Sequence, residues 1–144
     1  MNIASILATK GDKVVTVRAD QTIREALGVL AQHNIGALVV VDSTMRPIGI
    51  LSERDIVRAA AKNESVFPQL VSQLMTRDLV LGDPGDDLSA VGQTMVQRRI
   101  RHLPVVVAGK LVGIVSIGDV VKAQRDQFQG EVDTLQTIVM ERGT

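Results

Sequence analysis

Ile35-Gly-Ala-Leu-Val-Val-Val41 and Gly49-Ile-Leu-Ser-Glu-Arg-Asp-Ile-Val57 reveal the architecture, because both stretches return later in the chain. The first returns 65 positions on as Ile100-Arg-His-Leu-Pro-Val-Val106, and the second returns 64 positions on as Gly113-Ile-Val-Ser-Ile-Gly-Asp-Val-Val121. One residue is therefore lost in the turn between the two stretches. Similarity at a fixed spacing over most of 144 residues indicates a repeated structural unit.

Both units show the same order of predicted elements, β-α-β-β-α. Short apolar runs rich in β-branched residues predict the strands, and apolar residues that recur every three or four positions predict the helices. The first of these helices begins with Thr22-Ile-Arg-Glu25, which fits a capping box. The predicted strands are Val14–Val17, Leu38–Val41, Ile48–Leu51, Leu79–Leu81, Leu103–Val107 and Leu111–Val115.

The predicted helices carry one apolar face each. In the second unit, Asp86 or Asp87 can cap the first helix, and the second helix of each unit is expected to begin at Ser52 or Ser116. The apolar faces consist of Ile23, Ala26, Leu27 and Leu30 in the first unit and of Leu88, Val91 and Met95 in the second.

A unit of about 60 residues buries too little apolar surface to be stable alone, so we predict that the two units pack sheet to sheet. The fold class is α/β, of the α+β kind, with two β-α-β-β-α repeats, pseudo-twofold symmetry and a C-terminal helix. Val132, Leu135, Ile138 and Val139 lie at helical spacing in that tail, which predicts packing against the pair or against a partner chain. The expected boundaries are 1–62 for the first repeat with its N-terminal segment, 63–73 for a connection, 74–125 for the second repeat and 126–144 for the helical tail.

The composition excludes several functional classes. Sixteen basic and sixteen acidic residues give a formal net charge of zero, so there is no electrostatic reason to expect binding to nucleic acid or to a membrane. The absence of cysteine excludes disulfides and thiolate sites, two histidines are too few for a histidine-rich metal site, and the lack of Trp and Tyr excludes aromatic stacking platforms. No segment reaches the roughly 18 apolar residues of a membrane span, and the N-terminus does not read as a signal peptide. We therefore expect a cytoplasmic protein.

Each unit places a serine at a strand-to-helix junction with an aspartate three residues later. Ser52 and Asp55 form this pair in the first unit, and Ser116 and Asp119 form it in the second. The N–H groups of a helix N-terminus suit a phosphate, and a carboxylate matches the two hydroxyls of a ribose. The same spacing also fits a capping box, in which the aspartate accepts from the serine N–H. Both roles are compatible, because a carboxylate has two oxygens.

Two basic features accompany these pairs. Arg54 either clamps a phosphate or projects into water, and the second unit has no charged residue at the matching place. The run Arg98-Arg-Ile-Arg-His102 begins as a helix end, where cations offset the negative end of the helix dipole. The residues that match Arg101 and His102 in the first unit are Gly36 and Ala37, and small residues of this kind let a base approach the backbone.

The paired units resemble a tandem of CBS domains, the module named after cystathionine beta-synthase. The resemblance covers about residues 3–123 and rests on the strands Ile35–Val41 and Ile100–Val106 and on the endings Gly49–Asp55 and Gly113–Asp119. It implies two sheets related by a pseudo-twofold axis, clefts that often hold adenosine nucleotides, and frequent dimerisation into a flat disc.

The resemblance also implies a set of nucleotide-binding residues. It places Lys10 and Val15 beside the first cleft, it directs Arg101 and His102 toward phosphates in the neighbouring cleft, and it gives the more phosphorylated end of the ligand to the first cleft. It places a further group beside the second cleft, namely Met75, Thr76 and Val80. The complete set adds Gly36, Ala37, Ser52, Arg54, Asp55, Pro104, Ser116 and Asp119.

The expected function is a regulatory sensor that binds AMP, with ADP, ATP and NAD as alternatives, and signals to an unidentified effector protein from a homodimer. We expect no catalysis, catalytic cofactor or metal, because the P-loop, the dinucleotide fingerprint, the nucleophile elbow and a catalytic triad are all missing from the sequence. Two other hypotheses stay open: a ligand-free structural dimerisation module, and a small enzyme acting on nucleotides.

Overall fold

The computed structural model describes residues 1–11 and 13–142, and the side chains as far as residue 138. The elements are α1 (Ile3–Lys10), β1 (Thr16–Val17), α2 (Ile23–His33), β2 (Ala37–Val41), β3 (Pro47–Ser52), α3 (Glu53–Lys62), α4 (Val71–Leu74), α5 (Leu88–Gln97), β4 (His102–Val107), β5 (Lys110–Ser116) and α6 (Ile117–Arg142). Within the described residues the elements follow the predicted order with three differences: α1 and α4 are additional helices, and the first strand predicted for the second unit is missing.

The two repeats build matching antiparallel hairpins. β2 pairs with β3 so that Ala37 faces Ser52, and β4 pairs with β5 so that His102 faces Ser116. The register of each hairpin shifts at the same place, between residues 40 and 41 and between residues 105 and 106. This agreement confirms the predicted repeat and its pseudo-twofold relation.

The outer strand differs between the repeats. β1 pairs in parallel with β2 over Thr16 and Val17, a shorter strand than predicted. The predicted strand at Leu79–Leu81 is wrong, because the described pairing there is a single parallel bridge between Gly82 and Val105. A turn begins at residue 84, directly after Gly82 and Asp83, so the chain leaves the sheet edge after this one bridge.

Side-chain caps fix where the helices begin. Thr22 and Glu25 form the predicted capping box at the start of α2. Asp87, rather than Asp86, caps α5 by accepting a hydrogen bond from the N–H of Ala90 at 3.1 Å. The carboxylate of Asp86 instead accepts from the N–H of Asp83 at 2.9 Å and holds the preceding turn.

Each repeat has its own apolar core, and each core contains a short helix from the segment that precedes the other repeat. Ile3 and Ile6 of α1 are buried in the core of the second repeat, with Leu88 and Met95. Val71 of α4 is buried in the core of the first repeat. The N-terminal segment therefore packs with the second repeat, although it precedes the first in sequence.

A third cluster joins the two sheets. Val39 and Val41 of β2 pack with Leu111 of β5, and Val14 and Ile114 close over them. Burial of these β-branched side chains between the hairpins confirms the predicted sheet-to-sheet contact.

The tail forms the predicted helix but is not a separate element. α6 runs without a break from Ile117 to Arg142, because no proline interrupts it and Gly130 alone does not end a helix. One of the two predictions was that the tail packs against the pair of repeats. The described side chains do not pack in this way, since Phe128 and Leu135 are more than 60% exposed. The side chain of Val139 lies outside the described residues.

Candidate functional site

The site centres on the two strand-to-helix corners. We call Ser52–Asp55 the first corner and Ser116–Asp119 the second corner. In the first, the N–H of Ser52 donates to Oδ2 of Asp55 (2.9 Å) and the N–H of Asp55 donates to Oγ of Ser52 (3.1 Å). The second corner repeats this geometry at 2.9 and 3.0 Å. Both serines are therefore helix caps, as the capping interpretation predicted.

Capping leaves part of each corner free for a ligand. Each aspartate uses Oδ2 in the cap, and among the described residues none donates a hydrogen bond to Oδ1. The serine hydroxyls accept through oxygen, so their O–H groups remain available to donate. A carboxylate oxygen and a hydroxyl side by side are suited to the hydroxyls of a sugar.

The strand starts lie directly against the helix starts. The N–H of Glu53 donates to the carbonyl of Gly36, and the N–H of Ile117 donates to the carbonyl of Arg101, both at 2.9 Å. Gly36 and Ala37 consequently lie at the first corner, and Arg101 and His102 lie at the second. Arg101 and His102 thus belong to the corner of their own repeat.

Lys10 lies at the second corner, not beside the first as the resemblance implied. Its Nζ donates to Oδ2 of Asp119 at 2.6 Å and to the carbonyl of Ile114 at 3.0 Å. The reason is the position of α1, which packs into the core of the second repeat and brings its last residue to that corner. Val15, by contrast, packs against the core of the first repeat.

Met75 and Thr76 lie in the first repeat, which corrects their placement beside the second cleft. Thr76 forms a two-bond antiparallel bridge with Ile50 of β3 (3.0 and 2.8 Å). Met75 packs on Gly49 so closely that a Cβ on this glycine would lie 2.5 Å from the Met75 sulfur. Here too the segment before a repeat crosses to the other repeat. Val80 packs in the core of the second repeat.

The remaining predicted residues have contrasting environments. Arg54 is exposed on the first turn of α3. Pro104 is buried in β4, and its carbonyl accepts from the N–H of Gly82 at 2.8 Å. Pro104 therefore serves the sheet, whereas Arg54 is free to reach a ligand.

The second corner has perturbed protonation equilibria. Partial burial raises the pKa of Asp119, but hydrogen bonds from Lys10 and Ser116 outweigh it and leave that pKa below its usual value. Burial lowers the pKa of His102, and the charges of Lys10 and Arg101 lower it further against the opposing effect of Asp119. At neutral pH the corner therefore presents an ionised carboxylate, a neutral imidazole and two cations.

The first corner lacks this charge pattern. Met75 is the repeat counterpart of Lys10, and Gly36 and Ala37 are the counterparts of Arg101 and His102. A carboxylate approaches instead, since a Cβ on Gly36 would lie 3.3 Å from Oε1 of Glu53. Arg54 lies on the first turn of α3 at this corner, whereas the counterparts of Lys10, Arg101 and His102 are uncharged here.

A cavity opens beside the second corner, between α1 and α6. Its volume of about 430 Å³ lies within the range typical of small-molecule sites. The sequence did not predict this cavity, because the cavity depends on how two distant helices pack. The one local indication was that Lys122 lies three residues after Asp119, on the same face of a helix. The lining residues are Met1, Ser5, Ile6, Thr9, Lys10, Asp119, Lys122, Ala123 and Asp126.

Comparison with known proteins agrees with the two-repeat architecture. A family model for the CBS domain matches residues 4–62 and again residues 71–126. The chain belongs to the CBS-domain family. Among curated relatives of this CBS pair is the CBS domain-containing protein YhcV of Bacillus subtilis, 38% identical over 117 residues, which cover 81% of this chain and 83% of the relative.

Solved CBS structures show the same fold. The CBS-domain protein ATU1752 of Agrobacterium tumefaciens matches with a TM-score of 0.81 at 42% identity, over 86% of this chain and 99% of its own. The CBS domain pair of protein MJ0100, solved in complex with 5′-methylthioadenosine and S-adenosyl-L-methionine, matches with a TM-score of 0.79 at 26% identity, over 88% and 98%. None of the helices in the described part of our CBS protein is long and apolar enough to cross a membrane.

Proposed function

We propose that this protein is a regulatory sensor whose second corner binds an adenosine nucleotide, with AMP as the first choice and ADP, ATP and NAD as alternatives. The observation that carries the proposal is the meeting of Asp119, Ser116 and Lys10 beside a cavity of small-molecule size. The adenosine ligands in the MJ0100 complex support the nucleoside part of the proposal.

Ribose recognition is assigned to Asp119 and Ser116. The free Oδ1 of Asp119 accepts from a sugar hydroxyl while Oδ2 continues to cap α6. Because hydrogen bonds from Lys10 and Ser116 hold the pKa of Asp119 below its usual value, the acceptor is present throughout the neutral range.

Phosphate recognition is assigned to Lys10 and Arg101. The ammonium group of Lys10 has three donors and uses two within the protein, so one remains for a phosphate oxygen. Neutral His102 adds a ring N–H. This assignment moves the phosphorylated end of the ligand to the second corner, whereas the resemblance gave it to the first.

The first corner is proposed to accept adenosine groups without phosphate. Asp55 offers the same free oxygen there, but Met75 replaces the lysine and Glu53 adds negative charge near Gly36. Asp55 therefore retains the ribose contact. The negative charge of Glu53 repels an anionic ligand, and this repulsion is about that of one pair of like charges in a partly solvated site.

Signalling is proposed to leave through a protein–protein contact of a homodimer. Ligand at the second corner contacts α1, which belongs to the N-terminal segment, and β4 and α6, which belong to the second repeat. The ligand shifts the equilibrium between two arrangements of these elements only by as much as its affinity for one arrangement exceeds its affinity for the other. We assign no catalytic step, and the cytoplasmic location and the effector remain predictions.

The direct test is nucleotide content. Without Trp or Tyr the protein barely absorbs at 280 nm, so co-purified adenine would dominate the spectrum near 260 nm. Acid release with mass spectrometry identifies the ligand, and calorimetry of ligand-free protein with AMP and with 5′-methylthioadenosine measures its affinity. Failure of all adenosine ligands to bind at millimolar concentration would overturn the proposal.

A structural dimerisation module is the second candidate, and the complete capping boxes favour it. Ser52 with Asp55, and Ser116 with Asp119, are already satisfied without a ligand. In that case alanine at Asp55 or Asp119 changes the stability of the protein but not its ligand content.

A further inference from the structure

We propose that the tail of α6 forms a parallel two-stranded coiled coil with the same segment of a second copy of this chain. The helix runs on for more than four turns past Ala123, the last of its residues that packs on the described apolar core. A single helix of this length is marginal in water without tertiary contacts. The projecting part therefore needs a covering partner.

The apolar residues of the tail repeat every seven positions. Val121, Phe128 and Leu135 are spaced by seven residues, and Val132 occupies the alternate apolar position between the last two. The side chains of Val121, Phe128 and Leu135 are between 57% and 66% exposed, whereas neighbouring Val120 is buried in the second core. These three residues and Val132 form a seam along the helix, and this seam is distinct from the face with which α6 packs on the protein.

The residue types at the seam favour a second copy over a different partner. A β-branched residue at the a position with leucine at the d position favours two parallel strands, and Val132 and Leu135 fit this pattern, with Phe128 at the preceding d position. Arg125 at the preceding a position faces its own copy in a parallel pair, and a single polar residue at such a position specifies register at a cost in stability.

The flanking positions do not oppose self-pairing. In a parallel pair each g position faces the following e position of the other helix, which brings Gln124 opposite Gln129 and Glu131 opposite Gln136. No pair of like charges results at these flanking positions. Gly130, which lacks a side chain, lies on the face opposite the seam, where it leaves no gap.

The absence of cysteine makes disulfide cross-linking of the full chain a clean test. We expect Phe128→Cys, Val132→Cys and Leu135→Cys each to form a covalent dimer on mild oxidation, because equivalent seam residues face each other in a parallel pair. Thr137→Cys, on the opposite face, is the matched control and is expected to stay monomeric. Cross-linking at only one of the three positions would indicate an antiparallel pair, and cross-linking at none would indicate that the tails do not pair. Equal cross-linking at Thr137 would indicate random collision. Each of these results overturns the proposal.

Charge substitution supplies a second measurement. Leu135→Glu is expected to reduce the helical circular dichroism of the full chain and to abolish cross-linking at Val132→Cys, whereas Gln136→Glu leaves both unchanged. If the repeats also dimerise, light scattering still reports a dimer for Leu135→Glu, and the failure of cross-linking alone decides the tail. Unchanged cross-linking in Leu135→Glu would overturn the proposal without affecting the sensor function.

Discussion

Lys10 Nζ lies 2.6 Å from Asp119 Oδ2, which connects the last residue of α1 to the first turn of α6. The two residues are 109 positions apart, and the same ammonium group also bonds the carbonyl of Ile114 in β5. Six residues after Lys10 the chain enters β1 at Thr16, in the first repeat. A phosphate bound by the remaining donor of Lys10 therefore contacts a residue that links the segment before the first repeat to the second repeat.

Lys10→Met is expected to weaken AMP binding about tenfold, or about 1.4 kcal/mol, because it installs at the second corner the residue type found at the first. Binding of 5′-methylthioadenosine, which has no phosphate, should change little. Calorimetry with both ligands measures the difference. Lys13→Met removes the same charge from an exposed position and serves as the control. An equal loss for both ligands would show that Lys10 does not contact phosphate.

Asp119→Ala is expected to abolish AMP binding and to lower the free energy of unfolding by about 1 kcal/mol, because it removes a ribose acceptor and a helix cap together. Thr22→Ala removes the side-chain cap of α2 in the first repeat, so it should cost similar stability and leave AMP binding intact. Urea denaturation and calorimetry on both variants separate the two effects. AMP binding that survives in Asp119→Ala would refute the ribose assignment.

His102 makes stability depend on mildly acidic pH. Its pKa in the folded protein lies below the ordinary value of 6.5, chiefly because of burial. The unfolded chain therefore binds more protons in this range, so the contribution of neutral His102 is present above pH 6.5 and is lost as the pH falls below it. His102→Gln should lose less stability than the natural chain between about pH 7.5 and 5.5.

Urea unfolding at both pH values measures this difference. If His102→Gln and the natural chain lost the same stability between these two pH values, His102 would not be the source of the pH dependence.

Two glycines should respond to alanine in opposite directions. A Cβ at Gly82 would lie 2.6 Å from Leu103 Cδ2 and 3.0 Å from Ile3 Cδ1, so Gly82→Ala is expected to destabilise by about 1–3 kcal/mol. Gly28 is exposed inside α2, and a Cβ there would meet no atom of the described residues within 4 Å, so Gly28→Ala should stabilise by about 0.5–1 kcal/mol. Thermal unfolding of both variants measures the shifts, and a stabilised Gly82→Ala protein would contradict the close packing.

Local patterns predicted most elements correctly. The capping box at Thr22 is confirmed because all its partners lie within one helical turn. The strand at Leu79–Leu81 failed for the opposite reason. Its apolar composition is suitable for a strand, but strand formation requires a partner along its whole length, and the neighbouring β4 offers it one bridge at Gly82.

The repeated spacing was sufficient to predict two like units, their hairpins and a serine–aspartate pair at each helix start, since each depends on neighbours within a few residues. It did not predict which cations stand at which corner. Lys10 precedes the first repeat yet completes the second corner, because the apolar face of α1 is buried in the second core. The partner of Lys10 was decided by that long-range burial, which no spacing along the chain encodes.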